Sequence, residues 1–590
     1  MPTAHCPACG NDTTVGKFCG ACGAQQSVGR TGGLRLGAYA AAPTQRVLTP
    51  RMTTSLFPQL APRSRSRFGA GLVVLAATLA GFAVLRWQAP MIATIAFGLP
   101  ILFLLYVREV GLRLRDTVVA TVVGLGLGVG WAVIVGPIVA EAYSAALGAQ
   151  TDVGHVLISG VVIPVSEALL MLVPAVVVRV MDRSGRGPLD GFAVGALGAT
   201  VFNAGSAITL LAPQLATGVT AHDQSVASLL AEAIVEGAAW PLASLATGGI
   251  FGIALWTTLS GNASRRHRRR SIMVAAGVVL VVVTAMGLVD VAPLPLRVYV
   301  ALQLLIAVSA VLVLRMGIAG ALLHEVHDTD GVDGQLRCPE CDHVVAHTPF
   351  CTDCGVALHA KSGAARAATY PGVLGPLAAG LGVVVAAGVV AATLITPAAK
   401  AYVCPPDCGR PPLGTPVETN PRFSGDEGAF SVAYPGEGSA YEVTFDPPGM
   451  NGVELRYTGG DTGTLRLFGE PARDRTPKQI VQQILAAKYP QATVSYEIPN
   501  ASVGYQPGYG VVADVYSRDA AASRTRLRVI VMAAVKHDYA LVAAAVGPYH
   551  EFSPDYGTGH PSGANLELAM DMGKYVNSFR WAGDRHGRRP

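Results

Sequence analysis

Charge is what this sequence has least of. Asp, Glu, Lys and Arg make up 14% of its 590 residues, against 51% apolar ones. That balance excludes a single soluble globule, whose surface needs about 25% charged residues. Aromatic residues are sparse at 7%, and no basic–aromatic cluster accompanies the cysteines, so nucleic acid is not an expected partner. No long apolar run precedes residue 69, so no secretory leader is expected on this stretch. Cysteine is scarce too: ten residues, in three groups.

What is present is apolar length. A bilayer core about 30 Å thick needs about 20 apolar residues per helical span. Eight segments satisfy this, at about 69–86, 91–107, 117–140, 156–178, 191–212, 230–258, 272–293 and 297–314, and a ninth follows at about 372–397. In lipid the backbone has no outside hydrogen-bond partner, so such spans must be helical. Arginines give the orientation. Arg63, Arg65 and Arg67 precede the first span; Arg108, Arg113 and Arg115 follow the second; Arg179, Arg183 and Arg186 follow the fourth. Arg265, Arg266, Arg268, Arg269 and Arg270 follow the sixth, while loops 141–155 and 213–226 carry no Lys or Arg. The net charge of +5 therefore marks membrane orientation, with the N-terminus cytoplasmic and the C-terminus extracytoplasmic. Arginine in preference to lysine, with much Ala, Gly and Val, suggests a GC-rich bacterial genome.

The cysteines fit that topology. Cys6, Cys9, Cys19 and Cys22 form a CxxC–x9–CxxC set, and Cys338, Cys341, Cys351 and Cys354 repeat its spacing. Two thiolates on a tight glycine-relieved turn, taken twice, complete a closed tetrahedron, the arrangement of a structural zinc site. Both quartets fall on the reducing side, and Cys404 and Cys408 fall on the side where disulfides persist, where a bond between them would staple a Pro-rich stalk. The quartets resemble small zinc ribbons, and two zinc ions are the expected cofactors. His343 and His347 lie between the knuckles of the second quartet and are expected as solvated loop residues.

Inside the spans, Gly124, Gly126, Gly128 and Gly130 have no following Lys and no preceding strand, so they indicate close helix approach and not a phosphate loop. Ionisable groups there are costly and often functional. The polar candidates are Glu167 in the fourth span, Ser206 in the fifth, and Glu232 and Glu236, four apart in the sixth. Around them, Pro164-Val-Ser-Glu167-Ala-Leu-Leu-Met171, Pro188-Leu-Asp190-Gly191-Phe-Ala-Val-Gly195 and Phe202-Asn-Ala-Gly-Ser206 resemble the core of the PrsW-type intramembrane proteases. That family carries Pro-x-x-Glu-Glu-x-x-Lys, then Asp-Gly-x-x-x-Gly and Phe-x-x-x-Glu, then a later histidine. Here Ala168 replaces the second glutamate, Met171 the lysine and Ser206 the next glutamate, and the sixth span has no histidine. The resemblance, over about 156–258, thus implies the fold without the groups that would activate water or hold a catalytic metal.

After the ninth span, period-2 alternation predicts strands at Ala429–Tyr434, Tyr441–Phe445, Val453–Tyr457, Thr464–Phe468, Thr493–Ile498, Val511–Tyr516, Leu527–Ala533 and Tyr539–Ala545. Thr476-Pro477 opens a helix to about Tyr489, and a second helix is expected over Ala564–Phe579. No Ser/His/Asp or Cys/His set is discernible, and His537-Asp538, taken as strand residues, would point to opposite faces. The layout, ending in Val576-Asn-Ser-Phe-Arg-Trp581, resembles the PsbP-like fold of extracytoplasmic binding modules.

The expected organisation is a ribbon (1–27), a basic linker (28–68) read as a solvated tether or one lying on anionic headgroups, and an eight-span domain (69–316). A cytoplasmic loop with the second ribbon (317–370, ribbon 338–355), a ninth span (371–398), a stalk (399–424) and an α+β domain (425–582) complete it. The fold class is a polytopic α-helical membrane protein. Its expected role is a non-catalytic sensor, scaffold or accessory subunit of the bacterial cell envelope, working with the lipid bilayer, a cytoplasmic protein at the ribbons and an extracytoplasmic ligand. The alternatives are an altered PrsW-like protease and a carboxylate-dependent transporter.

Overall fold

The computed structural model describes residues 3–26, 39, 41, 45–48, 51–145, 157–181, 187–215, 219–220, 226–256, 263–325, 335–358, 372–395, 420–436, 441–457, 463–489, 492–498, 501–516, 526–548 and 573–583, apart from single positions within them. Cys404 and Cys408, His347 and most of the expected helix over Ala564–Phe579 lie outside the described residues. The chain divides into two units, one holding the ribbons and most of the helical core, the other the C-terminal domain.

Nine helices among the described residues are long and apolar enough to cross a bilayer: Ser64–Leu85, Gln88–Glu109, Leu114–Gly136, Ile158–Met181, Pro188–Ala212, Val226–Trp256, Arg269–Val291, Leu296–Leu322 and Leu374–Leu394. The fifth and sixth are the most enclosed, each 83% buried, against 28% for the first and third. Glycines permit that enclosure. Gly191 and Gly195 of the fifth span face Gly252 and Gly248 of the sixth so closely that a Cβ on Gly252 would stand 2.0 Å from the Gly191 carbonyl oxygen. Likewise Gly124 and Gly128 press the third span onto Gly198 and Phe202 of the fifth, while Gly126 and Gly130 meet open space. Small residues at i and i+4 bring backbones together where lipid supplies no hydrophobic drive.

Two spans are not uniformly α-helical. The fourth begins with a π-helical turn, Ile158–Val162, and the sixth contains another, Val235–Ala239, between Val226–Ile234 and Trp240–Trp256. Such turns shift the helix face and recur at functional sites.

The segment read as a linker carries structure from residue 39 onward. It contains a short helix, Met52–Leu56, with Thr54, Ser55 and Leu56 buried. The rings of Phe57, Phe68, Phe103, Tyr106 and Phe192 form a chain with centroids 5.0–6.1 Å apart, and Tyr106 donates to the Pro58 carbonyl at 3.1 Å. These aromatics seat the segment on the second and fifth spans.

In the C-terminal unit the strands β7 Tyr441–Phe445, β8 Asn451–Tyr457, β9 Thr464–Pro471, β10 Thr493–Glu497, β13 Tyr509–Tyr516, β14 Arg526–Lys536 and β15 Tyr539–Pro548 form a seven-stranded antiparallel sheet in the order β10–β13–β14–β15–β9–β8–β7, and β11 Ser502–Val503 pairs with β12 Gln506–Pro507 as a separate hairpin. Both faces of the central strands are covered, which explains the unbroken apolar run Leu541–Val546. Ala540, Val542 and Ala544 pack with Ile480, Val481 and Leu485 of the helix Pro477–Lys488. Leu541, Ala543 and Ala545 pack oppositely with Phe430, Tyr575, Phe579 and Trp581, beneath a small sheet of β5 Arg422–Ser424, β6 Phe430–Ala433 and β16 Arg580–Trp581. The helix starts as its sequence predicts: Thr476 and Gln479 form a capping box with proline at the first turn. His537-Asp538 differs from expectation. Both residues have positive φ, 52° and 55°, and close the two-residue hairpin between β14 and β15. Asp538 then accepts from the Asp474 amide at 2.9 Å.

Candidate metal centre

Each ribbon is built on a small hairpin, β1 Thr3–His5 with β2 Asp12–Thr14 and β3 Gln335–Arg337 with β4 Val344–Ala346. The first knuckle of each turns at the hairpin, where Cys6 N–H donates to the Asn11 carbonyl and Cys338 N–H to that of His343. The second knuckle closes when Cys19 N–H donates to Ala24 and Cys351 N–H to Val356, at 2.8 Å each. Gly23 and Gly355 end these turns with φ of +66° and +78°, where an L side chain would be strained.

The sulfur positions define the chemistry. Cys6 and Cys22 stand 3.8 Å apart, as do Cys9 and Cys19; the corresponding separations in the second quartet are 3.6 and 3.8 Å. A tetrahedral ion with metal–sulfur bonds of about 2.3 Å requires sulfur–sulfur edges of about 3.8 Å, whereas a disulfide requires about 2.05 Å. All eight sulfurs are free thiols, and each quartet forms a group that could hold a metal ion. Four thiolates leave no open position, so the geometry suits a structural ion. Burial pushes the Cys341 thiol up to about 11 and raises that of Cys354 as well. A divalent cation therefore displaces protons on binding, and its affinity rises with pH.

The ribbons, more than 300 residues apart in sequence, clasp each other about a local pseudo-twofold axis. Phe18 N–H donates to the Thr352 carbonyl, and the equivalent Phe350 N–H donates to that of Gly20, the residue matching Thr352; both bonds are 2.9 Å. The rings reciprocate as well. Phe18 covers Gly355 and Phe350 covers Gly23, so closely that a Cβ on either glycine would meet a ring atom at 2.6 or 2.8 Å. Lys17 adds an ion pair to Asp353 at 3.2 Å. His343 is exposed as expected, yet its Nδ1 lies 2.5 Å from Asp353.

A second polar centre went unmarked in sequence. Arg315, within the eighth span, is fully buried and donates to the carbonyls of Val47 and Arg46 at 3.0 and 2.8 Å and to the hydroxyls of Ser55 and Thr54 at 2.9 and 3.3 Å. Its guanidinium lies 3.9 Å from the centroid of the Tyr39 ring, whose own hydroxyl donates to Thr54 O. The only signal available was an arginine inside an apolar run.

Among the intramembrane candidates, Glu236 lies within the π-turn Val235–Ala239, so its spacing from Glu232 no longer fixes a shared face. Glu236 and Asp290 are the charged groups that act on Glu167. Asp290 was not singled out in sequence; Tyr299 of the eighth span donates to it at 2.7 Å. Ser206 is buried against Gly128 of the third span, and Glu232 is buried in the sixth.

Compared with family models the chain matches none, and no curated protein matches it. Among solved structures, a crystal structure from Bacteroides thetaiotaomicron VPI-5482 at 1.50 Å resolution aligns with 12% identity and a TM-score of 0.19, over 28% of this chain and 49% of the other. The chain thus spans about half of that protein, at a similarity too low to inform fold or function.

Proposed function

We propose that this chain is a non-catalytic multi-pass protein of the cell envelope in which two zinc ribbons, held together on the cytoplasmic side, fix the arrangement of the spans around them. The observation that carries this reading is the pair of closed four-sulfur tetrahedra joined by reciprocal hydrogen bonds. A closed tetrahedron stabilises a fold and offers no position for substrate. The arginine-rich loops support the cytoplasmic assignment, and the ribbons' mutual contact requires both on one face, as eight intervening crossings allow. The C-terminal sheet domain, after a ninth crossing, would bind an extracytoplasmic ligand or protein, and the class of function is scaffold, sensor or accessory subunit.

The absence of the second glutamate, lysine and histidine from the PrsW-like segment supports a non-catalytic role. Metal analysis of the purified full chain tests the core of the reading. About two zinc per chain is expected, and a chain purified without chelator that carries none refutes it. Cleavage of a membrane substrate that is abolished by Glu167→Gln would replace this reading with the protease one. A transporter using Glu167, Glu232 and Glu236 is the second reading, and Glu167 and Glu236 lie within electrostatic range of each other. Uptake into proteoliposomes that depends on those carboxyls would establish it.

A further inference from the structure

The two ribbons share their cysteine spacing and knuckle hydrogen bonds, so each is a control for the other, and among the positions where they differ three come together beside the metal site. In the second ribbon the sulfur of Cys341, a ring nitrogen of His343 and a carboxylate oxygen of Asp353 all lie within 4.8 Å of one another. The equivalent positions in the first ribbon are Cys9, Asn11 and Ala21, by the shared knuckle hydrogen bonds and CxxC spacing. No such third group forms there among the described residues. Cys341 is half-buried, His343 is exposed and Asp353 is partly exposed, so the trio opens to solvent beside one of the two half-buried sulfurs of the quartet.

We propose that Cys341, His343 and Asp353 form a landing site for a divalent transition-metal ion, through which the second ribbon exchanges its metal while the first holds its own. This rests on the zinc reading of the quartets. Thiolate, imidazole and carboxylate are all zinc donors. A Cys341 thiolate that keeps a lone pair can bridge an ion in the tetrahedron and one held by His343 and Asp353. The outgoing ion then leaves one sulfur at a time while the incoming one takes its place, with no change in oxidation state. Binding there draws Asp353 away from Lys17, its partner across the clasp, so metal exchange and ribbon contact are linked through one carboxylate.

The full chain, loaded with natural zinc in detergent micelles, is mixed with isotopically enriched zinc, and incorporation is followed by mass spectrometry. Two phases are expected. Altering groups adjacent to the ligands changes metal behaviour by about 10–100-fold, so H343A and D353N should each slow the fast phase at least tenfold, with two zinc per chain retained. Introducing N11H together with A21D into the first ribbon should speed the slow phase. The sign separates this from mere loosening, because a weakened ribbon releases zinc faster. Faster or unchanged exchange in H343A, or two zinc ions exchanging at one common rate in the unaltered chain, overturns the landing site alone. A chain without zinc overturns the zinc reading and this site with it.

Discussion

Phe350→Ala tests whether the ribbons are held together as described. The Phe350 ring is fully buried, over Gly23 of the opposite ribbon. Removing a buried phenylalanine ring costs about 3–5 kcal/mol. The ring also packs against its own ribbon, so about half of that, roughly 1.5–2.5 kcal/mol, falls on the contact, which shifts its equilibrium about 10- to 70-fold. Amide hydrogen exchange read residue by residue reports the shift. Phe18 N–H donates across the contact to Thr352 and is protected only when the ribbons are joined, whereas Cys19 N–H donates within its own ribbon to Ala24. The expected result is about 10- to 70-fold faster exchange at Phe18 with Cys19 unchanged. Unaltered protection at Phe18 would refute the clasp. Equal loss at Phe18 and Cys19 would mean that the ring serves folding of the ribbon itself.

Arg315→Met leaves the carbonyls of Arg46 and Val47 without their donor, at about 1–3 kcal/mol each. Trypsin should then cut after Arg46 and Arg51 at least about 30-fold faster, and Arg315→Lys should recover little because an ammonium lacks the planar fork. In the sheet domain, Arg528 pairs with Asp514 through two bonds of 2.9 Å on adjacent strands. Arg528→Met strands a buried carboxylate and should cost about 3–5 kcal/mol in denaturant unfolding, while adding Asp514→Asn should recover part of the loss. Metal retention should fall with acidification. Protons compete for thiols that burial has raised, Cys341 to about 11, so a chelator should strip the ribbons more readily as pH drops from about 8 to about 6.

What the sequence declared depended on how local its signal was. The CxxC spacing announces both quartets because a metal knuckle needs its thiolates three apart in sequence on one turn. The clasp stayed hidden because Phe18, Gly23, Phe350 and Gly355 read as ordinary knuckle residues, and their pairing spans most of the helical domain. Period-2 alternation showed even in β9, which is buried on both faces, and β7, β8 and β9 begin within two residues of where it placed them. Short pieces such as Arg422–Ser424 and Arg580–Trp581 are too brief to show a period. Asp290 escaped notice at the end of the seventh span, and the π-turn around Glu236 has no sequence period at all. The segment 28–68 looked like a tether because the contacts of its described residues are distant in sequence: Arg315 donates to Val47, 268 residues away, and Tyr106 to Pro58.

The clasp also sets a schedule for synthesis. Roughly 330 residues separate Phe18 from Phe350, and at about 5–20 residues per second the ribosome needs about 20–60 s to deliver the second ring after the first. During that interval the newborn amino-terminal ribbon presents an uncovered apolar ring to the cell, while eight helices long and apolar enough to cross a bilayer are made behind it. In the topology proposed above, the late ribbon seals a circle that only an even number of crossings between the two can close.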